Sequence, residues 1–71
     1  MKNDRLQATV AKVNAELKRR GFKERLRRGK GYYYFYDGDA SSWPSSSVYT
    51  NNIEAFTVDG WIEERKRLSE Q

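Results

Sequence analysis

Residues 28–37 read RGKGYYYFYD, in which a glycine-lysine-glycine turn separates a run of arginines from five consecutive aromatic side chains. Aromatic residues favour strands, and a short glycine-rich connection between two extended segments is typical of a β-hairpin. We therefore predict a hairpin in which residues 23–29 pair with residues 31–37. A helix is the competing interpretation of the first segment, since Phe22 and Leu26 are also four residues apart.

The aromatic run determines how the predicted sheet is oriented. Successive side chains of a strand lie on opposite faces, so Tyr33 and Phe35 share one face while Tyr32, Tyr34 and Tyr36 share the other. Phenylalanine is the least ambiguous core residue of the five, and we expect it to face the core together with Tyr33. The opposite assignment would bury three tyrosine hydroxyls, each of which would need a hydrogen-bond partner.

A first helix is predicted over residues 4–20, with Asn3 or Asp4 as its N-cap and Gly21 just beyond its end. Apolar residues recur along this segment at helical spacing and form one stripe. The members of the stripe are Leu6, Val10, Val13 and Leu17.

A second helix is predicted over residues 57–69. Thr57 is a suitable N-cap, and Phe56 and Trp61 have the spacing of a hydrophobic staple. Residues 47–50, SVYT, predict a short third strand.

The element order is thus α-β-β-β-α, in a single α+β domain over residues 1–71. We expect a three-stranded antiparallel sheet with two helices packed on one face. The loop over residues 40–47 contains five serines and Trp43, which we expect to fold back over the core.

The composition argues against an enzyme. The chain of 71 residues contains no cysteine and no histidine, which excludes disulfides, ordinary zinc sites and the most common nucleophiles and bases. No phosphate-loop or nucleophile-elbow motif is present, and Asp37 and Asp39 are too few for a calcium loop. We expect no catalytic residue, no metal, no cofactor and no small-molecule substrate.

The apolar runs are too short to cross a membrane, and the N-terminal MKNDRLQ lacks the apolar segment of a secretory signal. We therefore expect no membrane partner and a cytoplasmic location. A chain of this length gains from additional burial, so self-association is a natural expectation.

Charge is distributed unevenly along the chain. Residues 1–36 contain eleven basic and three acidic residues, whereas residues 37–71 contain three basic and seven acidic residues. Eight of the basic residues fall between Lys18 and Lys30, next to the aromatic strand. A run of this kind is often only a solvated surface, but it also suits an acidic partner.

These observations predict a binding surface on the open face of the sheet. Tyrosine and arginine are enriched where proteins bind one another, and we favour a protein partner. Aromatic rings among cations also suit single-stranded nucleic acid, which is the alternative, with residues 18–30 as its basic region. A third interpretation is that tyrosine–arginine contacts merely stabilise the sheet. The predicted binding residues are Arg25, Arg27, Arg28, Lys30, Tyr32, Tyr34 and Tyr36.

One resemblance adds to this interpretation. The stretch GYYYFYDGDASSWPSSSVYT (residues 31–50), followed by FTVDGWIEE (residues 56–64), resembles a pattern of short bacterial and bacteriophage accessory proteins. The resemblance covers about half of the chain and implies no established activity and no catalytic residue. It implies a setting in a phage or mobile-element genome, where small proteins often bind host proteins or nucleic acid.

Overall fold

The computed structural model of the chain describes residues 8–70 and has the predicted α+β architecture. Two helices flank a three-stranded antiparallel sheet whose strand order is β1-β2-β3. Two 3-10 turns, Ala40–Ser42 and Ile53–Ala55, lie in the connections before and after β3. The helices and strands are α1 (Val10–Arg19), β1 (Arg25–Arg28), β2 (Tyr33–Tyr36), β3 (Ser47–Val48) and α2 (Val58–Ser69).

The hairpin is confirmed, with strands shorter than predicted. Leu26 lies opposite Phe35, and Arg27 lies opposite Tyr34. Residues 29–32 connect the two strands, and the backbone N–H of Gly29 donates to the carbonyl of Tyr32 at 2.7 Å, which closes the turn. The helical interpretation of this segment is therefore wrong.

The predicted start of the first helix is corrected. Thr9 is the N-cap, with extended backbone and an Oγ1 that accepts from the backbone N–H of Lys12 at 3.1 Å. Because this hydroxyl replaces a helical carbonyl as the acceptor, the helix begins at Val10 rather than at residue 4. The proposed caps Asn3 and Asp4 lie outside the described residues, as does Leu6 of the predicted stripe.

The core lies between the helices and one face of the sheet. Tyr33 and Phe35 are only 3% and 1% exposed, which confirms that they face inward. The ring of Tyr33 packs edge-on against Trp61 of α2, with 5.4 Å between the ring centroids. The buried apolar residues are Ala8, Val13, Leu17, Leu26, Tyr33, Phe35, Ala40, Val48, Trp61, Ile62 and Leu68.

The predicted features of α2 and its preceding loops are also confirmed. The Oγ1 of Thr57 accepts from the backbone N–H of Gly60 at 3.0 Å, which makes it the N-cap. Phe56 packs against Trp61 at 4.9 Å, as expected of a staple. Trp43 is partly buried against the core and lies edge-on to Phe35 at 6.1 Å.

The outer edge of β1 is covered by α1. Asn14 Nδ2 donates to the carbonyl of Leu26 at 3.1 Å, and its Oδ1 accepts from the backbone N–H of Leu26 at 2.6 Å. The amide thus bonds the strand as a fourth strand would, and it leaves less of this edge available for another chain. Neither α1 nor α2, the helices of residues 8–70, is long and apolar enough to cross a membrane.

Candidate binding surface

A row of four tyrosine rings lies on the face of the sheet opposite the helices. Neighbouring rings are separated by 6.0 Å for Tyr49–Tyr32, by 5.8 Å for Tyr32–Tyr34 and by 6.3 Å for Tyr34–Tyr36. Neighbouring rings are tilted against one another by 41° to 56°, an arrangement in which aromatic rings attract each other. We call this row, together with Arg27 beside it, the tyrosine face.

Three of the rings were expected on this face, whereas Tyr49 was not included in the predicted site. Val48, the residue before it, pairs with Tyr33 and is buried. Alternation along β3 therefore turns Tyr49 outward, where it is 81% exposed and the most accessible large apolar side chain of the described residues. The alternation of SVYT (residues 47–50) could have predicted this position, because a buried Val48 implies an outward Tyr49.

Arg27 completes the tyrosine face from β1. It lies opposite Tyr34 in the strand register, and its guanidinium carbon lies 5.2 Å from the centroid of the Tyr36 ring. This diagonal cation–π contact orients the arginine over the row of rings and leaves its side chain exposed to solvent. The sequence predicted that arginines of the first strand would lie beside the tyrosines of the second. The structure shows that Arg27 makes this contact.

Arg25 lies opposite Tyr36 but is held by its own strand. Its Nη1 donates to the carbonyls of Phe22 and Glu24, each at 2.7 Å. These bonds satisfy backbone acceptors just before β1. Arg25 therefore supports the end of the sheet and has less freedom than Arg27 to contact a partner.

The structure does not bring Arg28 onto the tyrosine face. Arg28 lies opposite the core residue Tyr33, so alternation places it on the same face as Leu26, at the exposed end of the strand. The prediction that Arg28 belongs to this face is corrected by the register, because Arg28 shares the two-residue period of Leu26 and pairs with Tyr33 rather than with an outward tyrosine. Lys30 lies in the exposed loop between Arg28 and Tyr32.

Tyr32 is supported by a close backbone approach at Gly29. A methyl group at Gly29 would lie 2.5 Å from the Cζ atom of the Tyr32 ring, so no larger residue fits there without moving the ring. The glycine therefore provides the space in which Tyr32 joins the row. Gly31 serves the turn differently, with a φ of +84°.

Two cations of the basic run, Arg19 and Arg20, are neutralised within the fold. Glu16 Oε2 lies 2.5 Å from Nη2 of Arg19 and from Nε of Arg20. Arg20 Nη2 also bonds Asp59 Oδ1 of α2 at 3.0 Å. Hydrogen bonds from Arg19 and Arg20 lower the pKa of Glu16 from 4.5 to about 2. The Arg20–Asp59 pair thus joins the basic first half of the chain to the acidic second half, whereas Glu16 pairs within the first half.

A buried ion pair lies near the opposite end of β1 from the turn, and sequence reasoning missed it. Glu24 is 3% exposed and bonds Arg65 of α2 at 2.9 Å. Alternation placed Glu24 on the core side with Phe22 and Leu26, but nothing local indicated a partner 41 residues away. We regard this pair as structural, because both oxygens of Glu24 are bonded within the protein, one by Arg65 and the other by the backbone N–H of Asp39.

Within residues 8–70 there is no group of three or more acidic, histidine or cysteine side chains that could hold a metal ion. No family model matches the chain, and neither a curated protein nor a solved structure matches it closely enough to show a relationship.

Proposed function

We propose that this protein is a non-enzymatic binding module that engages another protein through its tyrosine face. The observation that carries the proposal is the unbroken row of four outward rings beside an arginine that no carboxylate of residues 8–70 neutralises. A solvent-exposed sheet face needs no such row for the stability of the core, which Tyr33 and Phe35 already provide from the other side.

The physical basis is the chemistry of tyrosine and arginine at interfaces. A tyrosine presents a large, rigid apolar ring with a polar end, and it loses little conformational freedom on binding. In the tyrosine face the rings already restrain one another, so still less freedom is lost. Truncation of a central tyrosine or arginine at an interface commonly costs about 2 kcal/mol or more.

The absence of histidine and cysteine from the chain supports a non-catalytic role. The resemblance to short phage and bacterial accessory proteins supports a host protein as the partner and the cytoplasm as the place of action. Self-association through the same face is the version of this proposal in which the partner is a second copy.

A nucleic-acid partner is the second candidate. It is favoured by the cations of the hairpin, because Arg27, Arg28 and Lys30 form no ion pair with any described carboxylate. It is disfavoured by the pairing of Arg19 and Arg20 with Glu16, which removes two cations from the predicted basic region.

Affinity capture from a host extract tests the proposal. Wild-type protein, Tyr34→Ser and Tyr49→Ser are compared as bait, with Glu63→Ser on α2 as the exposed control, in the presence and absence of nuclease. We expect a protein that survives nuclease treatment, is retained by the control and is reduced roughly tenfold by each tyrosine variant. Recovery that is equal for all folded variants would refute a role of the tyrosine face. Recovery that depends on the tyrosines but is abolished by nuclease would establish the nucleic-acid alternative.

A further inference from the structure

We propose that the segment bound by the tyrosine face is an acidic, extended stretch of the partner protein. This inference rests on the proposed function and specifies the chemistry of the partner. Three observations support it. They are the positive charge of the face, the tyrosine hydroxyls that bond no other part of residues 8–70, and the succession of rings along β2.

The charge of the face is uniformly positive along its strands. The three strands contain three arginines and neither aspartate nor glutamate. Arg27 pairs with Tyr34 and holds its guanidinium over Tyr36, Lys30 lies in the exposed turn before Tyr32, and Asp37 comes only after the end of β2. A carboxylate of the partner would therefore meet Arg27 without competition from an acidic neighbour on the strands.

The hydroxyls of the four tyrosines supply hydrogen-bond donors. Within residues 8–70, none of these four hydroxyls makes a hydrogen bond to another part of the chain. A phenol beside a guanidinium can donate to a carboxylate, and hydrogen bonds to charged acceptors are the stronger kind. The face thus combines apolar ring surface with several donors and no charged acceptor, which is complementary to carboxylates interleaved with apolar side chains.

Three of the rings follow one another along β2 and its preceding loop. The steps are 5.8 Å from Tyr32 to Tyr34 and 6.3 Å from Tyr34 to Tyr36. Tyr49 lies beside Tyr32, on the side of β3, with 6.0 Å between the ring centroids. The three rings along β2 accommodate about four residues of extended chain at roughly 3.4 Å per residue. An extended segment that follows β2 would contact these three rings in turn, with Tyr49 next to the first of them.

The same geometry favours a polypeptide over a polynucleotide. Arg25 is held by two backbone carbonyls, and Arg28 lies on the other face, so Arg27 is the arginine free to contact a ligand on the row, with Lys30 in the adjoining turn. Tight binding of nucleic acid requires neutralisation of several phosphates. Two cations and four hydroxyl donors suit two or three carboxylates better than a continuous phosphate backbone.

The opposite faces of adjacent arginines allow a charge-matched experiment. Arg27→Gln and Arg28→Gln remove the same charge from neighbouring positions of β1, but only the first lies on the tyrosine face. The probes are fluorescein-labelled eight-residue peptides with four glutamates interleaved with leucine and proline, the same peptide with glutamine in place of glutamate, and an oligodeoxythymidylate of eight nucleotides. Dissociation constants are measured by fluorescence anisotropy at low and at physiological salt.

We expect the glutamate peptide to bind more tightly than its glutamine counterpart, and Arg27→Gln to weaken it about tenfold, equivalent to about 1.4 kcal/mol. Arg28→Gln should change the affinity less than about twofold. Equal losses in both variants would show that only net charge matters and would overturn the inference, as would failure of the glutamate peptide to bind. Tighter binding of the oligonucleotide would identify a different class of partner. If the peptides fail while Tyr49→Ser still abolishes partner capture, the proposed function stands and the acidic segment does not.

Discussion

The Nε of Arg65 donates to Oε1 of Glu24 over 2.9 Å and thereby joins the middle of α2 to the residue that precedes β1. The other oxygen of Glu24 accepts from the backbone N–H of Asp39 at 2.7 Å. The guanidinium carbon of Arg65 lies 3.8 Å from the centroid of the Phe22 ring and 5.6 Å from that of Trp43. Arg65, whose side chain is partly buried, therefore connects the second helix, the start of the hairpin and the serine-rich loop.

Removal of Arg65 should destabilise the fold severely. In Arg65→Met, Glu24 would be left buried without its charged partner, and breaking a buried pair in this way costs about 3–5 kcal/mol. Arg67→Met is the matched control, because its partner Glu64 is reached across an exposed, single-turn contact worth less than about 1 kcal/mol. Denaturant unfolding of both variants measures the difference. Similar losses in the two variants would show that the buried pair contributes nothing beyond a surface pair.

Stability should fall in acid over a defined range. Burial by itself raises the pKa of Glu24, but the hydrogen bonds from Asp39 and Arg65 outweigh it, and the net shift is downward. The pKa of Glu16 is lowered in the same direction, from 4.5 to about 2, by Arg19 and Arg20. Both folded-state values lie below those of the unfolded chain, so the unfolded state binds more protons as the pH falls.

The contribution of Glu16 is therefore present above about pH 4.5 and is lost as the pH falls towards about 2, and the contribution of Glu24 is also lost as the pH falls. We expect urea midpoints of the wild-type protein to decline through this range. Glu16→Gln should decline less steeply, whereas Glu63→Gln, whose carboxylate is exposed, should follow the wild type. If the urea midpoint of Glu16→Gln declined with pH as steeply as that of the wild type, Glu16 would not be a source of the acid sensitivity.

Asn14 should protect the edge of β1. Asn14→Ala removes both hydrogen bonds to the backbone of Leu26. We expect the free energy of unfolding to fall by about 1–3 kcal/mol, because the N–H and the carbonyl of Leu26 lose their partners. The uncovered edge should also promote association between chains. Urea unfolding and sedimentation at increasing protein concentration measure the two effects. Lys18→Ala, on an exposed position of the same helix, should change neither.

Two glycines of the turn should respond differently to alanine. Gly29→Ala would drive the Tyr32 ring out of the row with a change in stability below about 1 kcal/mol, since only the ring of one partly exposed side chain must move. Gly31→Ala would leave the ring in place but cost about 1–2 kcal/mol, because its φ is +84°. Nuclear Overhauser contacts between Tyr32 and Tyr34, together with unfolding curves, separate the outcomes. If the contacts between Tyr32 and Tyr34 were lost in Gly31→Ala but kept in Gly29→Ala, Gly29 would not be the residue that makes room for the Tyr32 ring.

Local chemistry explains why some features could be predicted. The hairpin and the inward position of Tyr33 and Phe35 followed from a two-residue period, which is a property of the backbone alone. The N-cap Thr57 and the staple Phe56–Trp61 followed from spacing within one helical turn. The start of α1 was missed because several residues of this segment can cap a helix, and their competition is resolved by packing.

The amino-acid sequence determined the order of the elements, the sheet face that is buried and the residue types available for binding, since each depends on neighbours within a few positions. Only the tertiary structure decided that Arg27 contacts the tyrosines, that Tyr49 lies beside Tyr32, and that Glu24 meets Arg65. These relationships depend on strand register and on contacts between distant segments, which are set by the packing of the whole domain rather than by any local pattern.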